Sequence, residues 1–316
     1  MRRMSQRDAA HPISEASEYL RDLARRIAAA YIAHMSARGA VLVGSASTGE
    51  CDEYSDIDLG LQYDALPTDE QLDAARAQVI RDLGAQPFSR PVDGDWYRIN
   101  GVECQVGLAT LDALHRHLDR GLGPDFLEGD QRALSGWLHV VPLYGDELVE
   151  RYRARVATYP EELARATVRR YLRFHPIWYL RSPDYFAARD AALWFHQAAT
   201  VGCLHVLGVL AGINHQYYST FQFKRMRAFT ETLNLKPADL PDRIERVLAN
   251  LSREPAAAAS ELEALVAETV ALVEQHLPEI DVTQAKRRLG ERHVPWRLPR
   301  SSRDLPEWRA ATRNEF

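Results

Sequence analysis

The stretch from residue 41 to residue 61 restricts the fold more than any other part of the chain. It begins with three apolar residues, 41–43, which are typical of a buried strand. Gly44 and Ser45 follow at once, where the chain has to turn with its backbone exposed, and residues 45–49 are predicted to open a short helix. Residues 56–63 predict another strand. The pattern therefore predicts two neighbouring strands that are connected through a small-residue turn.

The second strand begins with two acids separated by one apolar residue, Asp56, Ile57 and Asp58. Residues two apart in a strand point to the same face, so both aspartates face one side while Ile57 faces the core. Two neighbouring carboxylates repel each other, and their burial without compensation is costly. A divalent cation relieves both problems, and hard oxygen ligands suit Mg²⁺. A turn that can hold phosphate beside such a pair suggests chemistry on a nucleoside triphosphate.

The Gly44-Ser45 pair, the ten-residue spacer and the segment 55–59 (Ser-Asp-Ile-Asp-Leu) resemble the signature of the nucleotidyltransferase superfamily, whose fold is shared with DNA polymerase beta. Within it, the stretch is most similar to the aminoglycoside and lincosamide nucleotidyltransferases and to uncharacterised bacterial proteins with the same domain. The resemblance covers residues 40–110 well and the rest only in architecture. It implies that Asp56 and Asp58 bind Mg²⁺, and that Gly44, Ser45 and Ser55 contact the nucleotide.

The resemblance also requires a third carboxylate, as a base or a metal ligand. Residues 101–108 alternate as a strand, and Glu103 lies on its polar face between Val102 and Cys104. We assign the third carboxylate to Glu103. Asp93 and Asp95 are the alternatives, in the interrupted strand or hairpin predicted for residues 88–100. For Ser55, a local turn that shapes the start of the strand is an equal alternative to a phosphate contact.

The remaining N-terminal elements are predicted from hydrophobic spacing and helix caps. Residues 1–13 are expected to be disordered, and the catalytic α/β (α+β) domain with a mixed sheet is expected to cover residues 14–144. Its helices are predicted at residues 14–36, 70–83 and 110–122. The 70–83 helix is expected to turn Leu72, Val79, Ile80 and Leu83 inward. Pro124 and Gly129 predict a mobile connection, followed by an edge segment over 136–143 that Pro142 ends.

From residue 145 the pattern becomes consistently helical, which predicts an all-α helical bundle domain over 145–280. Helices are expected at residues 145–157, 160–174, 184–212, 221–233, 239–252 and 256–276. Residues 217–226 are the best candidates for the opposite side of the cleft, with Lys224 on a phosphate and Tyr218 stacked on the base; an exposed amphipathic helix is the alternative. Residues 281–316 hold nine Lys or Arg against five acids and predict a basic C-terminal arm.

Bulk properties exclude several classes of protein. The net charge of −5 argues against a general nucleic-acid binder. Residues 50–103 carry thirteen acids against four arginines, which suits cations, although a solvated acidic surface has the same composition. The three cysteines form no paired spacing and indicate a cytoplasmic protein. No membrane span and no signal peptide are expected. The oligomeric state is left open.

Taken together, the resemblance implies a Mg²⁺-dependent enzyme that transfers AMP from ATP to the hydroxyl of a small, aminoglycoside-like acceptor. Two alternatives remain. In the first, the acceptor is the hydroxyl of a protein. In the second, the protein binds a nucleotide or a partner without catalysing a reaction.

Overall fold

In the computed structural model, residues 14–49, 51–91, 94–173 and 183–290 are described. Their N-terminal half forms a six-stranded mixed sheet in the order β3-β4-β5-β2-β1-β6. Only β2 and β5 pair in parallel, and the other four described pairings are antiparallel. The strands are β1 (Gly39–Val43), β2 (Ile57–Tyr63), β3 (Gln86–Ser89), β4 (Gly94–Ile99), β5 (Val102–Thr110) and β6 (Val141–Tyr144). The mixed sheet expected from the sequence is therefore present.

Helices surround and follow the sheet. Those in the first half of the chain are α1 (Glu15–His34), α2 (Ser45–Thr48), α3 (Asp69–Leu83), α4 (Leu111–Leu122) and α5 (Glu128–Trp137). Those in the second half are α6 (Asp146–Val156), α7 (Glu161–Tyr171), α8 (Pro183–Ala187), α9 (Ala192–Ile213), α10 (Met226–Glu231), α11 (Leu240–Asn250), α12 (Pro255–His276) and α13 (Thr283–Gly290), with a 3₁₀ helix over Thr220–Arg225.

One face of the sheet is covered by α1 and α3. The alternate residues Ile57, Leu59 and Leu61 of β2 are buried there, in one cluster with apolar residues of both helices. Cys104 and Val106 of β5 join the same cluster, because Ile57 lies opposite Cys104 and Leu59 opposite Val106 in the parallel ladder. The strand alternation therefore directs the intervening residues, Asp58 among them, to the second face.

The second face is only half covered. Val41 of β1 is buried in a separate cluster with side chains of α4 to α7, so these helices cover the β1 side. On the β4 and β5 side, Trp96, Arg98 and Glu103 are exposed. The boundary between the covered and the open halves runs along β2, where Asp58 lies.

Helices α1 and α4 begin where the sequence predicted helices, at residues 14 and 110. Ser14 and Thr110 cap them, each accepting a hydrogen bond from a backbone N–H three residues later. Other predictions were wrong. Ile80 is 40% exposed, although Val79 beside it is fully buried. Gly129 lies inside α5, and Pro142 lies inside β6, an edge strand in which a missing N–H is tolerated.

The helical half has its own core around α9, which packs against α7, α12 and α11. The helix predicted over 184–212 is two helices, α8 and α9, separated by a turn at residues 188–191. A third cluster joins α4 and α5 to α6 and α7, so apolar packing continues across residue 145. The N-terminal segment 1–13 and residues 291–316 of the basic arm lie outside the described residues.

Helix α9 is long and apolar enough to cross a membrane by length and composition, and 67% of its most apolar window is buried inside the protein. Such burial is what the central helix of a protein core shows. The three cysteines, Cys51, Cys104 and Cys203, are buried and unpaired.

Candidate functional site

The site is built around Asp58, on the half-open face of the sheet. Asp58 lies opposite Val43 in the β1–β2 ladder, and the next residue along the chain from Val43 is Gly44. A Cβ placed on Gly44 would lie 3.0 Å from Asp58 Oδ2, so the turn and the carboxylate are in contact. Asp56 lies two residues before Asp58, just before the strand begins. The structure thus brings together Gly44 and the aspartate pair, as the spacing predicted.

The surroundings of the Asp58 carboxylate disfavour its ionised form unless a positive charge is near. Burial, and next the Asp56 carboxylate, raise the pKa of Asp58 to about 6. Lys224 and Arg132 act in the opposite direction, which places both cations close to Asp58. Among the described residues, none donates a hydrogen bond to the Asp58 carboxylate. The described protein groups therefore leave this half-buried acid incompletely compensated.

The Gly44-Ser45 turn is held in place by backbone geometry and by Arg21. Gly44 has φ of +75°, a conformation in which a side chain is strained. It precedes α2, and the Ser47 hydroxyl donates to the Gly44 carbonyl at 2.7 Å. From α1, Arg21 donates to the carbonyls of Ala46 and Ser47, at 2.8 Å each. The Arg21 contacts hold the turn against α1. Within the described residues, Ser45 Oγ accepts a long contact from Cys51 Sγ, at 3.6 Å.

Ser55 is engaged in a local turn. Its hydroxyl donates to Asp52 Oδ1 at 3.0 Å and accepts from the Asp52 backbone N–H at 3.0 Å. The same Asp52 oxygen accepts from the backbone N–H of Tyr54. This arrangement is the turn-shaping role that the sequence left open, and it prepares the chain for the start of β2.

Glu103 lies on the same face of the sheet as Asp58. Asp58 pairs with Gln105 across the parallel ladder, and Glu103 is two residues before Gln105, so all three side chains share the face. Glu103 forms an ion pair with Arg98 of β4, its antiparallel neighbour, at 2.6 Å. In the part of the chain that the structure describes, no group of three His, Cys, Asp or Glu is close enough to bind a metal. Glu103 therefore shares the face with the aspartate pair without joining it in a cluster of that kind.

The alternative acid Asp95 has a different role. It is buried on the face covered by α1 and α3, where Tyr31 donates to Oδ2 and Arg76 donates to Oδ1, each at 2.7 Å. The hydroxyls of Tyr31 and Tyr97 are 2.7 Å apart in the same network. Asp95 is thus a structural acid, and the sheet separates it from Asp58. The other alternative, Asp93, lies outside the described residues.

Two exposed cations reach the site from the helical elements. Lys224 lies on the 3₁₀ helix, whose next residue, Arg225, acts electrostatically on Asp52 in the spacer. Arg132 lies on α5, in a segment predicted from the sequence to be an irregular connection. The sequence predicted Lys224 on a phosphate, which stays a prediction. It gave no signal for Arg132.

The segment that carries Lys224 is fixed to the protein core. Tyr217 donates to the Val156 carbonyl at 2.7 Å, and Tyr218 donates to the Leu204 carbonyl at 2.6 Å. The Gln222 side chain accepts from the Ser219 N–H and donates to the Tyr217 carbonyl. Tyr218 is 1% exposed and packs among other aromatic rings, so the prediction that it stacks on a base was wrong.

A pocket of about 290 Å³ lies on the open half of the face, directly beside Asp58. Trp96 and Gln105, opposite each other on β4 and β5, line it together with Gly94, Gly107 and Pro91. Trp96 is 37% exposed. Trp96 is exposed between the buried residues Asp95 and Tyr97. A tryptophan in the predicted hairpin was the sequence feature that could have indicated this pocket, and the hairpin prediction did not use it.

No protein-family model matches the chain, and no curated protein matches it. A solved structure described as a nucleotidyltransferase-like protein from Exiguobacterium sibiricum is similar, with 13% identity over 87% of this chain and 81% of that chain and a TM-score of 0.39. A TM-score and an identity this low assign neither a fold nor an activity to this chain.

Proposed function

We propose that the protein is a nucleotidyltransferase that moves a nucleoside monophosphate from a nucleoside triphosphate to a hydroxyl group. One observation carries the proposal. A half-buried Asp58, beside Asp56, lies against the Gly44 turn, with Lys224 and Arg132 close enough to lower its pKa. A pair of acids next to two cations and an exposed backbone turn matches a polyphosphate with its metal, and is hard to explain as a structural arrangement.

The donor atoms fit Mg²⁺. Magnesium is commonly held by one or two carboxylates together with the phosphates of a substrate, so Asp56 and Asp58 suffice as protein ligands. The raised pKa of Asp58 supports the fit, because burial and the Asp56 charge both disfavour its ionised form until a cation is present. When bound, Mg²⁺ would neutralise phosphate charge and polarise the phosphorus centre.

In the proposed reaction, the oxygen of the acceptor hydroxyl forms a bond to the α-phosphorus. The bond from that phosphorus to the oxygen bridging to the β-phosphorus breaks, and pyrophosphate leaves with that electron pair. Glu103 takes the hydroxyl proton, which requires its carboxylate to exchange Arg98 for the acceptor. Lys224, Arg132 and the N–H groups of the Gly44-Ser45 turn orient the β- and γ-phosphates and stabilise the negative charge of the leaving group.

ATP is the proposed donor and a small hydroxylated molecule of the aminoglycoside kind is the proposed acceptor, both from the resemblance of residues 44–58 alone. A cytoplasmic location agrees with this donor and with three unpaired cysteines. The ion pair between Glu103 and Arg98 is the observation that favours the non-catalytic alternative, because it occupies the proposed base. Transfer to a protein hydroxyl is the other alternative.

The test is incubation of the full chain with Mg²⁺ and ATP labelled on the α-phosphate, with and without a set of aminoglycosides. Label on the small molecule supports the proposal, and label on a protein selects the protein acceptor. ATP binding without transfer of label, over the whole acceptor set, leaves the non-catalytic alternative. Absence of ATP binding overturns both transfer reactions with ATP as donor and leaves only the binding of a partner without catalysis.

Variants of Asp56 and Asp58 test whether the transfer reaction depends on the proposed site. Asp56→Asn and Asp58→Asn are each expected to lower transfer at least about 1,000-fold, because the charge that binds the metal is reduced. Asp64→Asn is the matched control. Asp64 follows the other end of β2 and forms an exposed ion pair with Arg38, so its loss is expected to leave transfer unchanged. Full transfer by either site variant would contradict the metal assignment.

A further inference from the structure

The topology gives the site two sides. On the β1 side of Asp58 lie the Gly44 turn and α5, the helix that carries Arg132. On the β5 and β4 side lies the pocket beside Trp96 and Gln105. An in-line displacement requires the attacking oxygen to be opposite the leaving pyrophosphate. If the polyphosphate occupies the β1 side, the attacking group has to approach Asp58 from the pocket.

We propose that the pocket between Trp96 and Gln105 binds the acceptor, and that it takes a single hydroxyl-bearing ring with an apolar face. This inference rests on the proposed nucleotidyl transfer and adds the location and chemical class of the second substrate.

The apolar part of the recognition comes from Trp96. Its indole is held by Phe88, whose ring centroid lies 5.9 Å away, and the Arg98 guanidinium lies over the Phe88 ring at 5.3 Å. This stack fixes the indole as one wall of the pocket, with Pro91 also lining it. A flat apolar wall is suited to the face of a ring, whether the C–H face of a sugar or an aromatic face.

Two glycines keep the base of the pocket flat. Gly94 and Gly107 lie opposite each other on β4 and β5. A Cβ on Gly94 would lie 2.3 Å from the Val106 carbonyl oxygen, so glycine is required there for strand packing. A Cβ on Gly107 would meet only the Leu59 carbonyl oxygen, at 3.5 Å, so the fold does not require a glycine at this position. The bare backbone at residue 107 leaves room for a ligand.

The polar part comes from Gln105. The Gln105 amide offers both a donor and an acceptor to the edge of a ring. The Glu103 carboxylate, on the same face, pairs with Arg98 of the neighbouring strand. A volume of about 290 Å³ is at the small end of ligand pockets, so it fits one ring, with the rest of a larger molecule outside.

The test uses two cationic ring probes, glucosamine for a saccharide and tyramine for a phenol. Their binding to the full chain is measured by saturation-transfer NMR titration in the presence of Mg²⁺ and a non-hydrolysable ATP analogue. We expect at least one of them to bind. Binding of glucosamine alone, of tyramine alone or of both supports the pocket and identifies the ring chemistry. Binding of neither overturns the inference.

Two variants locate the probes. Trp96→Leu is expected to weaken probe binding at least about tenfold, and Gly107→Val, which directs a side chain into the pocket, is expected to abolish it. Trp194→Leu is the control, because Trp194 has a similar exposure, 42%, and packs against Phe186 in the helical half. If Trp96→Leu does not fold, Gly107→Val still decides. Unchanged probe binding in Gly107→Val overturns the inference.

The nucleotide readout separates this inference from the proposed function. A thermal shift with Mg²⁺ and ATP is measured on the same samples. If the wild-type chain binds no nucleotide, the proposed function fails and the inference fails with it. If the chain binds nucleotide but neither glucosamine nor tyramine, only the acceptor pocket is wrong. The same holds if probe binding is unchanged in both Trp96→Leu and Gly107→Val.

Discussion

Asp95, which is buried, and Asp58, which is half-buried, lie on opposite faces of the same sheet and have opposite surroundings. Asp95 of β4 accepts hydrogen bonds from Tyr31 and Arg76, within a network closed by Tyr97. Asp58 of β2 accepts none from a described residue and has a second acid, Asp56, as its neighbour. Side chains of the protein satisfy the Asp95 carboxylate, and the described residues donate no hydrogen bond to that of Asp58. This contrast, more than the presence of an Asp-x-Asp motif, separates a structural acid from a candidate catalytic one.

The two aspartates are also expected to differ in their contributions to the free energy of unfolding. A satisfied buried acid contributes to the fold only through its partners, and loss of one partner leaves a buried charge. An unsatisfied acid at a functional site is a cost that the rest of the fold offsets. The two aspartates should therefore respond in opposite directions when their charges are removed.

The largest effect on the fold is expected for Asp95→Asn. It leaves the Arg76 guanidinium, whose side chain is 15% exposed, without its buried counter-ion. We expect the free energy of unfolding to fall by about 3–5 kcal/mol, measured by urea denaturation. Asp73→Asn removes the exposed partner of the same arginine and is expected to cost less than about 0.5 kcal/mol. Equal losses in the two variants would break the comparison.

Asp58→Asn should instead stabilise the metal-free protein at pH 7.5, by on the order of 2 kcal/mol. The pKa of Asp58 is about 6 in the folded chain and about 4 in an unfolded one. The folded state therefore binds the proton more tightly, and the contribution of Asp58 to stability is lost as the pH rises from about 4 through 6.

The pH dependence provides the check on this prediction. The stabilisation by Asp58→Asn should be present in thermal denaturation at pH 7.5 and fall to a small remainder by about pH 4, where Asp58 is protonated in the folded state and about half protonated in the unfolded one. The control Asp64→Asn should show no comparable difference between the two pH values, because its exposed ion pair with Arg38 contributes little. A destabilised Asp58→Asn at pH 7.5 would mean that protein groups satisfy this acid after all.

A smaller effect is expected for Gly44→Ala, which tests the contact between the turn and Asp58. The variant places a side chain at φ +75° and brings its Cβ to 3.0 Å from Asp58 Oδ2. Gly84→Ala is a matched control, because Gly84 has φ +63° and open space around its Cβ position. Both should lose about 1 kcal/mol of unfolding free energy from backbone strain. Only Gly44→Ala should also weaken ATP binding, measured by calorimetry.

The smallest effect on stability is expected at the exposed ion pair between Arg98 and Glu103. Glu103→Gln and Arg98→Gln should each change the free energy of unfolding by less than about 1 kcal/mol. Glu103→Gln should nevertheless slow the chemical step by about 100- to 10,000-fold in single-turnover assays, with ATP affinity retained. Arg98→Gln keeps the base and should retain the chemical step. A collapse of ATP affinity in Glu103→Gln would identify Glu103 as a metal ligand instead.

Local patterns predicted the strands well and the helices between them less well. The alternation of β2 and β5 placed Asp58 and Glu103 on one face, because two-residue periodicity is a property of any extended chain. The segment around Gly129 was predicted to be irregular but is helical, because tertiary packing of Leu134 and Trp137 overrides the weak local propensity. Arg132 was missed with it. Ile80 carried the right spacing, yet it lies at the edge of the stripe that α1 covers.

The sequence by itself determined the turn at Gly44, the alternation that directs Ile57 and Asp58 to opposite faces of the sheet and the starts of α1 and α4. Each depends on residues within a few positions of one another, where backbone geometry decides. Only the tertiary structure decided which aspartate is satisfied, which cations reach Asp58 and that Glu103 pairs with Arg98. Those outcomes depend on strand order, register and helix packing, which bring together groups that are distant in the chain.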